Sequence, residues 1–238
     1  MCRATGRPPQ QAFEPRDLRN IRRFNRNLIV KKLIGTLHDA ERRILSRFDA
    51  IVWIECDPRD VLISRFLYNF RHRPLGRQPE LLQQVMERLR HKERDPPAVD
   101  LCALIDLGRE LDGVDVLPVI EREQIRAAGL WTDLAERAVA IRYEELIDGD
   151  TSKLDSLLGV PVQPRQVDIP YPRNRVARTR STGNWRHWFT PRDVAELKPR
   201  LRPIAFTPAD WDDWVLSNPP RIDPAHGSGY IERLLAGD

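Results

Sequence analysis

One short stretch of the chain combines the residue types that bind an anion. The string Ile54-Glu-Cys-Asp-Pro-Arg-Asp-Val-Leu-Ile-Ser64 follows a β-branched apolar run and leads into a helix-like pattern. A helix that begins at the carboxyl end of a strand offers unpaired N–H groups and a partial positive charge to an anion. Arg59 adds a planar fork of donors, and Ser64 adds a hydroxyl. The spacing predicts a phosphate-binding corner, although Asp-Pro before a helix is also ordinary turn chemistry without a ligand.

The elements that must position this corner alternate between strands and helices. The apolar pattern predicts strands at 28–30, 50–54 and 138–141, and helices at 17–27, 36–47, 61–70, 79–93, 101–111, 119–136, 152–158, after Thr190-Pro191 and at the C-terminus. Such alternation predicts an α/β fold in which helices flank a parallel sheet. Residues 1–15 are rich in Pro, Gln and Arg and predict a disordered lead-in, which leaves 16–238 as a single domain.

The composition of the 238 residues excludes several function classes. No apolar run approaches the roughly 20 residues that a bilayer helix needs, which predicts no membrane insertion. A net charge of +4 is too small to indicate nucleic-acid binding. The three widely spaced cysteines argue against a disulfide framework and a zinc cluster, and they favour a cytoplasmic setting. Only five of the 39 basic residues are lysines, a bias that suits phosphate and sulfate but that codon usage explains equally well.

Three strings, taken in order, resemble the PAPS-dependent sulfotransferases, which use 3′-phosphoadenylyl sulfate (PAPS). The string 54–64 is similar to the family's 3′-phosphate motif, approximately R-D-P-R-D-x-x-x-S after a buried strand. Arg142-Tyr-Glu-Glu-Leu146 is similar to the R/F-Y-E-D-L segment. Arg178-Thr-Arg-Ser-Thr-Gly-Asn-Trp-Arg-His-Trp-Phe-Thr190 is similar to R-K-G-x-x-G-D-W-K-x-x-F-T, the loop that closes over the nucleotide. The resemblance covers roughly residues 28–192.

The resemblance implies a fold like that of the P-loop nucleoside-triphosphate hydrolases and a set of nucleotide contacts. Ser64 would bond the 3′-phosphate, Tyr143 would lie against the adenine, and Gly183 would let the closing loop turn. Cys56 stands where the family has a phosphate-binding Arg, so Arg59 is the candidate substitute. The implied cofactor-binding residues are Arg59, Ser64, Tyr143, Arg178, Thr179, Arg180 and Gly183.

Two parts of the family pattern have no counterpart here. A P-K-S-G-T-T type loop, which would hold the 5′-phosphosulfate, is missing, since Gly6 and Gly35 are the only glycines before Cys56 and neither has the right neighbours. We therefore expect the fold to be incomplete at its N-terminus. The family's catalytic K-x-H pattern would fall on Lys32 and Ile34, with His38 as the nearest imidazole. Lys32 and His38 are accordingly the candidate catalytic residues, and the general base stays unassigned.

The implied reaction is transfer of a sulfuryl group from PAPS to a hydroxyl or amine of a small-molecule or carbohydrate acceptor, without a metal. The alternative is a degenerate, non-catalytic module that at most binds adenosine bisphosphate. A P-loop kinase is disfavoured because the chain contains no G-x-x-x-x-G-K-[ST] string.

Overall fold

The structure, a computed structural model, describes residues 10–13, 17–21, 28–70, 78–163 and 181–236. Its strands are β1 (Gln10–Phe13), β2 (Leu28–Lys31), β3 (Ile51–Glu55) and β4 (Ala138–Arg142). Its helices are α1 (Asp39–Leu45), α2 (Pro58–Asn69), α3 (Pro79–Arg94), α4 (Leu101–Asp112), α5 (Val116–Leu134), α6 (Tyr143–Ile147), α7 (Ser152–Leu158), α8 (Trp185–Trp188), α9 (Pro191–Leu197) and α10 (Ser228–Ala236).

The strands pair in parallel. β3 lies beside β4 in a register that runs from Ile51 opposite Ala138 to Glu55 opposite Arg142, and β1 lies beside β2. Both pairs therefore need a crossover connection, and helices α2 to α5 lie in the one that joins β3 to β4. The predicted mixed α/β class with parallel strand pairing is confirmed.

The N-terminal elements differ from the sequence expectation. Strand β1 lies within the stretch 1–15 that composition indicates as a lead-in, and it exists because Leu28–Lys31 supplies its backbone partners. The described part of the predicted helix at 17–27 contains a short 3-10 turn at Leu18–Asn20, which begins after the side-chain cap Asp17. The amino-acid composition of a short stretch carries no information on whether that stretch pairs with a strand elsewhere in the chain.

The chain divides into two compact units. Unit 1 comprises 1–55, 122–166 and 204–206, and unit 2 comprises 56–121, 167–203 and 207–238. The core of unit 1 contains Trp53, whose ring centroid lies 5.2 Å from that of Trp131. The larger core of unit 2 is formed by α2, α3, α4, the start of α5, α8, α9 and α10, and it contains Phe66 and Phe70 in edge-to-face contact.

A buried carboxylate joins two helix N-termini in unit 2. Asp193, which is fully buried, accepts hydrogen bonds from the backbone N–H groups of Leu101 and Cys102 at 2.9 Å each. It also accepts from the N–H of Thr190 at 2.9 Å and from its hydroxyl at 3.1 Å. The first N–H groups of a helix have no partner within the helix, so this side chain satisfies the start of α4 and the start of α9 together.

A lysine is also fully buried in unit 2. The Nζ of Lys92 donates to the carbonyl oxygens of Pro96 and Val99, at 3.1 and 2.5 Å. Burial lowers its pKa to about 8, against the opposing influence of the Asp193 and Asp100 carboxylates.

Of the helices in the described parts of the chain, none combines the length and apolarity that crossing a bilayer requires.

Replacing Asp193 by Ala should cost at least about 3 kcal/mol of unfolding free energy, because several buried N–H groups lose their acceptor. Urea unfolding followed by far-UV circular dichroism measures this loss. Asp106→Ala is the control, since that side chain is 60% exposed and pairs with Arg109 on the outer face of α4. The control should change stability by less than about 0.5 kcal/mol. Equal losses in the two variants would contradict the role given to Asp193.

The stability of the protein should depend on Lys92 at alkaline pH. Because the pKa of Lys92 is lower when folded than its usual 10.5, the unfolded chain binds more protons between about pH 8 and 10.5. The contribution of Lys92 to the free energy of unfolding should therefore rise with pH across that window. Urea unfolding of the wild type and of Lys92→Met at several pH values gives this contribution as a difference. A difference that is constant or falls from pH 8 to 10.5 would rule the expectation out.

Candidate phosphate-binding site

The candidate site in unit 2 is built on the first turns of α2. Asp57 is the N-cap of this helix, and its Oδ1 accepts the backbone N–H of Arg59 at 2.9 Å. Pro58 occupies the first helical position, where a missing N–H costs nothing. The helix therefore begins at residue 58, three residues before the predicted 61–70, and Asp57 is its cap.

Arg59 folds back onto its own cap and lies inside the protein. Its Nε and Nη2 donate to the Asp57 carboxylate at 2.8 and 2.7 Å, and its Nη1 donates to the backbone oxygen of Asp213. The Cζ lies 3.9 Å from the ring centroid of Trp185 and 4.9 Å from that of Trp214. Only 3% of Arg59 is exposed. That Arg59 binds a phosphate stays a prediction. In the structure its guanidinium connects the start of α2 to Asp213 and to the ring of Trp185.

Asp60 connects α2 to the closing-loop string. Its Oδ2 accepts the backbone N–H of Gly183 at 2.6 Å, and its Oδ1 accepts that of Trp185 at 2.9 Å. Gly183 has a φ of 72°, a left-handed conformation that favours glycine. That Gly183 lets a closing loop turn stays a prediction, and its left-handed backbone lies two residues before α8 begins.

A second arginine secures the same region from its outer side. Arg186 donates through Nη1 to the backbone oxygen of Val215 at 2.6 Å and through Nη2 to the carboxylate of Asp213. Its Cζ also lies 4.5 Å from the ring centroid of Trp185. The hydrogen bond from Arg186 lowers the pKa of Asp213 to about 2. The residues from Asp213 to Val215 are therefore held against α8 by charge-assisted bonds.

Of the predicted nucleotide contacts, Arg59, Ser64 and Gly183 belong to unit 2. Ser64 is exposed and lies four residues after Asp60 on α2, which places the two on the same face of the helix. Arg178, Thr179 and Arg180 lie outside the described residues. Among the described residues, Ser64 therefore contributes an exposed hydroxyl. The predicted cations Arg178 and Arg180 precede Gly183 in the sequence by five and three residues.

Tyr143 and the two candidate catalytic residues belong to unit 1. Tyr143 is half-buried and begins α6 directly after β4. The Nζ of Lys32 lies 3.1 Å from Oε1 of Glu41, and its side chain is 8% exposed. His38 is exposed and immediately precedes α1, where its backbone N–H donates to Glu41 at 2.6 Å.

Glu41 organises this part of unit 1. Burial raises the pKa of its carboxyl, but the N–H groups of His38 and Leu18 and the Lys32 ammonium outweigh burial and lower it. The charge of Lys32 is therefore neutralised within the fold by an ionised partner. Its role as a contact for the transferring group stays a prediction.

Glu55, the last residue of β3, performs a similar task in unit 1. Its two carboxylate oxygens accept the backbone N–H groups of Ile204 and Ala205, at 2.5 and 2.7 Å. Burial raises the pKa of Glu55 in spite of these bonds. The next residue of that segment, Phe206, lies against the guanidinium of Arg142, with the Cζ 5.0 Å from the ring centroid.

Sequence reasoning did not find the tether from Asp60 or the contribution of Asp213 and Trp214. The acceptor role of Asp60 toward Gly183 and Trp185 joins residues more than 120 positions apart, which no local pattern in the string 54–64 indicates. Within the described ranges, no group of three or more His, Cys, Asp or Glu side chains is placed to hold a metal ion.

Comparison of the chain with protein-family models, with curated proteins and with solved structures finds no significant match.

Replacing Arg59 by Lys should lower the free energy of unfolding by at least about 2 kcal/mol, because an ammonium cannot keep the paired bonds to Asp57 or the flat contact with Trp185. Urea unfolding in the absence of any ligand measures the change. Arg186→Lys is the control, because Arg186 contacts the same Trp185 ring but its own side chain is 32% exposed. It should cost less than about 1 kcal/mol. Unchanged stability of Arg59→Lys would instead favour Arg59 as a ligand for an anion.

Proposed function

We propose that this protein binds the 3′-phosphate end of an adenosine nucleotide on α2 and transfers a sulfuryl group from PAPS. The single observation that carries the proposal is the pair of hydrogen bonds from Gly183 and Trp185 to Asp60. They join the string that resembles the family's 3′-phosphate motif to the string that resembles its closing loop. Two separate resemblances that meet at one helix turn support a common ligand site.

The chemistry of the described residues fits a bound phosphate in part. Ser64 offers an exposed hydroxyl on the second turn of α2, where it can donate to a phosphate oxygen. Arg178 and Arg180 would supply the positive charge, because the guanidinium of Arg59 already serves Asp57 and Asp213. The adenine contact of Tyr143 rests on the resemblance alone. The finer fold, that of a P-loop-like sulfotransferase, is part of the same proposal.

In the proposed reaction, the acceptor oxygen or nitrogen attacks sulfur in line with the leaving phosphate oxygen, and a base takes the acceptor's proton. The bond to the acceptor forms as the bond between sulfur and the bridging oxygen breaks. The protein would mainly orient the two reactants and offset negative charge. Lys32 is the proposed contact for the transferring group, and it would have to exchange its bond to Glu41 for that role.

The pairing of Lys32 with Glu41 favours a second candidate function, which is nucleotide binding without transfer. An ammonium that is 8% exposed and neutralised by a carboxylate is poorly placed to meet a substrate. Cys56 also favours this second candidate, since a thiol cannot replace the bidentate cation that the family has at that position.

Isothermal titration of the purified full chain with 3′,5′-adenosine bisphosphate tests the proposed binding. We expect a dissociation constant well below 1 mM and about tenfold weaker binding by Ser64→Ala, which loses a hydrogen bond to a charged group. Ser156→Ala is the matched control, because the hydroxyl of that exposed serine donates to the carbonyl oxygen of Ser152 within α7. No heat and no thermal shift at millimolar nucleotide would refute the proposal.

Incubation with PAPS and a panel of hydroxyl and amine acceptors separates the two candidates. Acceptor-dependent release of 3′,5′-adenosine bisphosphate supports transfer. Binding without release supports the non-catalytic module.

A further inference from the structure

The segment 213–221 is bonded to α8 by two neighbouring side chains of different chemistry. Arg186 holds its first part, because the guanidinium donates to Asp213 and Val215, and the Arg186 carbonyl oxygen accepts the N–H of Ser217 at 2.9 Å. His187 holds its last residue, because the ring nitrogen Nδ1 accepts the backbone N–H of Arg221 at 3.0 Å. One part of the segment therefore depends on a guanidinium and the other on an imidazole.

The imidazole is the main attachment of the stretch 218–221. Two of these four residues are prolines, which have no backbone N–H, and three of the four are exposed. In the described parts of the chain, the bond from Arg221 to His187 is the one hydrogen bond that reaches the stretch. The chain is fixed on either side, by the bond of Ser217 to α8 and by Ile222, which is buried in the core of unit 2. The stretch is therefore a short loop between two fixed points.

The bond to Arg221 defines the protonation state of the imidazole. A ring nitrogen accepts a hydrogen bond only when it carries no proton, so the His187 ring is neutral and its single proton lies on Nε2. The Nε2 atom lies 3.4 Å from the hydroxyl oxygen of Ser217, which is able to accept that proton. A second proton on the ring would turn Nδ1 into a donor that faces another donor, the N–H of Arg221. Protonation therefore removes the bond and replaces it with a repulsive contact.

The charged side chains on α8 and on the elements packed against it differ from His187 in their response to pH. They are Arg186 on α8, Asp213 and Arg221 on the segment, and Asp57, Arg59, Asp60 and Arg65 on α2. Arginine and aspartate are ordinarily charged from pH 5 to 8, whereas histidine changes its charge within that range. The bond from Arg186 lowers the pKa of Asp213 to about 2, so that the attachment of the first part of the segment is retained in mild acid.

We propose that His187 is an acid-sensitive latch. As a neutral imidazole it holds residues 218–221 against α8, and its protonation releases them while Arg186 keeps residues 213–217 in place. The released loop stays attached at both ends, so the core of unit 2 remains folded. This inference is independent of the proposed nucleotide binding, because neither His187 nor the loop belongs to the site proposed for the 3′-phosphate.

Solvent exchange of backbone amides in the full-length wild type tests the latch. The protection factor of the Arg221 amide is its intrinsic exchange rate at a given pH divided by the observed rate, and it is measured by NMR from pH 8 to pH 5. We expect protection at pH 8 and a fall of at least about tenfold by pH 5. The midpoint of that fall should coincide with the titration of the His187 ring, followed by its ¹⁵N shifts. The amide of Ser217 is the internal reference, since its acceptor is the backbone oxygen of Arg186.

Three results in the wild type would overturn the proposal. The first is an Arg221 amide that stays equally protected after the His187 ring is protonated. The second is exchange of that amide at the rate of an unstructured chain already at pH 8. The third is an equal loss of protection at Ser217, which would mean that the whole segment opens together.

Two substitutions of the imidazole separate its acceptor from its charge. His187→Asn places an amide oxygen near the position of Nδ1 and takes up no proton in this range, so the Arg221 amide should stay protected at both pH 8 and pH 5. His187→Phe has no acceptor, so protection should be low at both. His226→Asn is the control, because that side chain is 44% exposed and lies 3.8 Å from Asp223, and it should keep the response of the wild type.

Loss of protection in acid by His187→Asn, to the extent seen in the wild type, would assign the response to another group and refute the latch. The wild-type measurement needs no variant, so it decides the question even where a substitution unfolds the protein.

Discussion

A guanidinium held between a carboxylate and two indoles is the interaction on which the candidate site depends. Taking an arginine out of water is costly unless nearly all of its donors find acceptors. Arg59 meets that demand with the Asp57 carboxylate, the backbone of Asp213 and the faces of Trp185 and Trp214. Because these partners come from α2, α8 and a distant coil, satisfying one side chain fixes three pieces of chain together.

The same arginine illustrates the limit of reading a motif as a list of ligands. In the string 54–64, the residue type and the position of Arg59 suggest a fork aimed at phosphate. The structure gives that fork intramolecular partners, while the neighbouring Asp60 binds two backbone amides of the other string. A recurrent pattern of charged residues can thus describe how two segments are joined as well as what they bind, and only the three-dimensional partners distinguish the two.

Elements that depend on local periodicity were predictable from the sequence. Helix α7 spans the predicted residues 152–158, Thr190 caps α9 as expected, and β3 is displaced by one residue from the predicted 50–54. These features follow from apolar spacing and from capping chemistry, which a short window contains. Helix α2 also lies close to its prediction, since it begins three residues before the predicted 61–70.

Long-range bonds between side chains and backbone were not predictable. Asp193 serves the start of α4 from about 90 residues away, and Asp60 serves Gly183 from an even greater distance. Each of these bonds depends on a single carboxylate at a single position. It therefore produces no periodic pattern of residues that sequence analysis could detect. The two compact units likewise leave no local signal, since each draws on three separate segments of the chain.

The bonds that Glu55 accepts have a consequence for how the chain can be divided. Residues 204–206 are the last contribution to unit 1, and they arrive after the chain has supplied most of unit 2. A fragment that ended anywhere before residue 204 would leave a buried carboxylate without the amides that satisfy it. No single peptide-bond cleavage yields both units whole, because the segments of unit 1 alternate along the chain with those of unit 2.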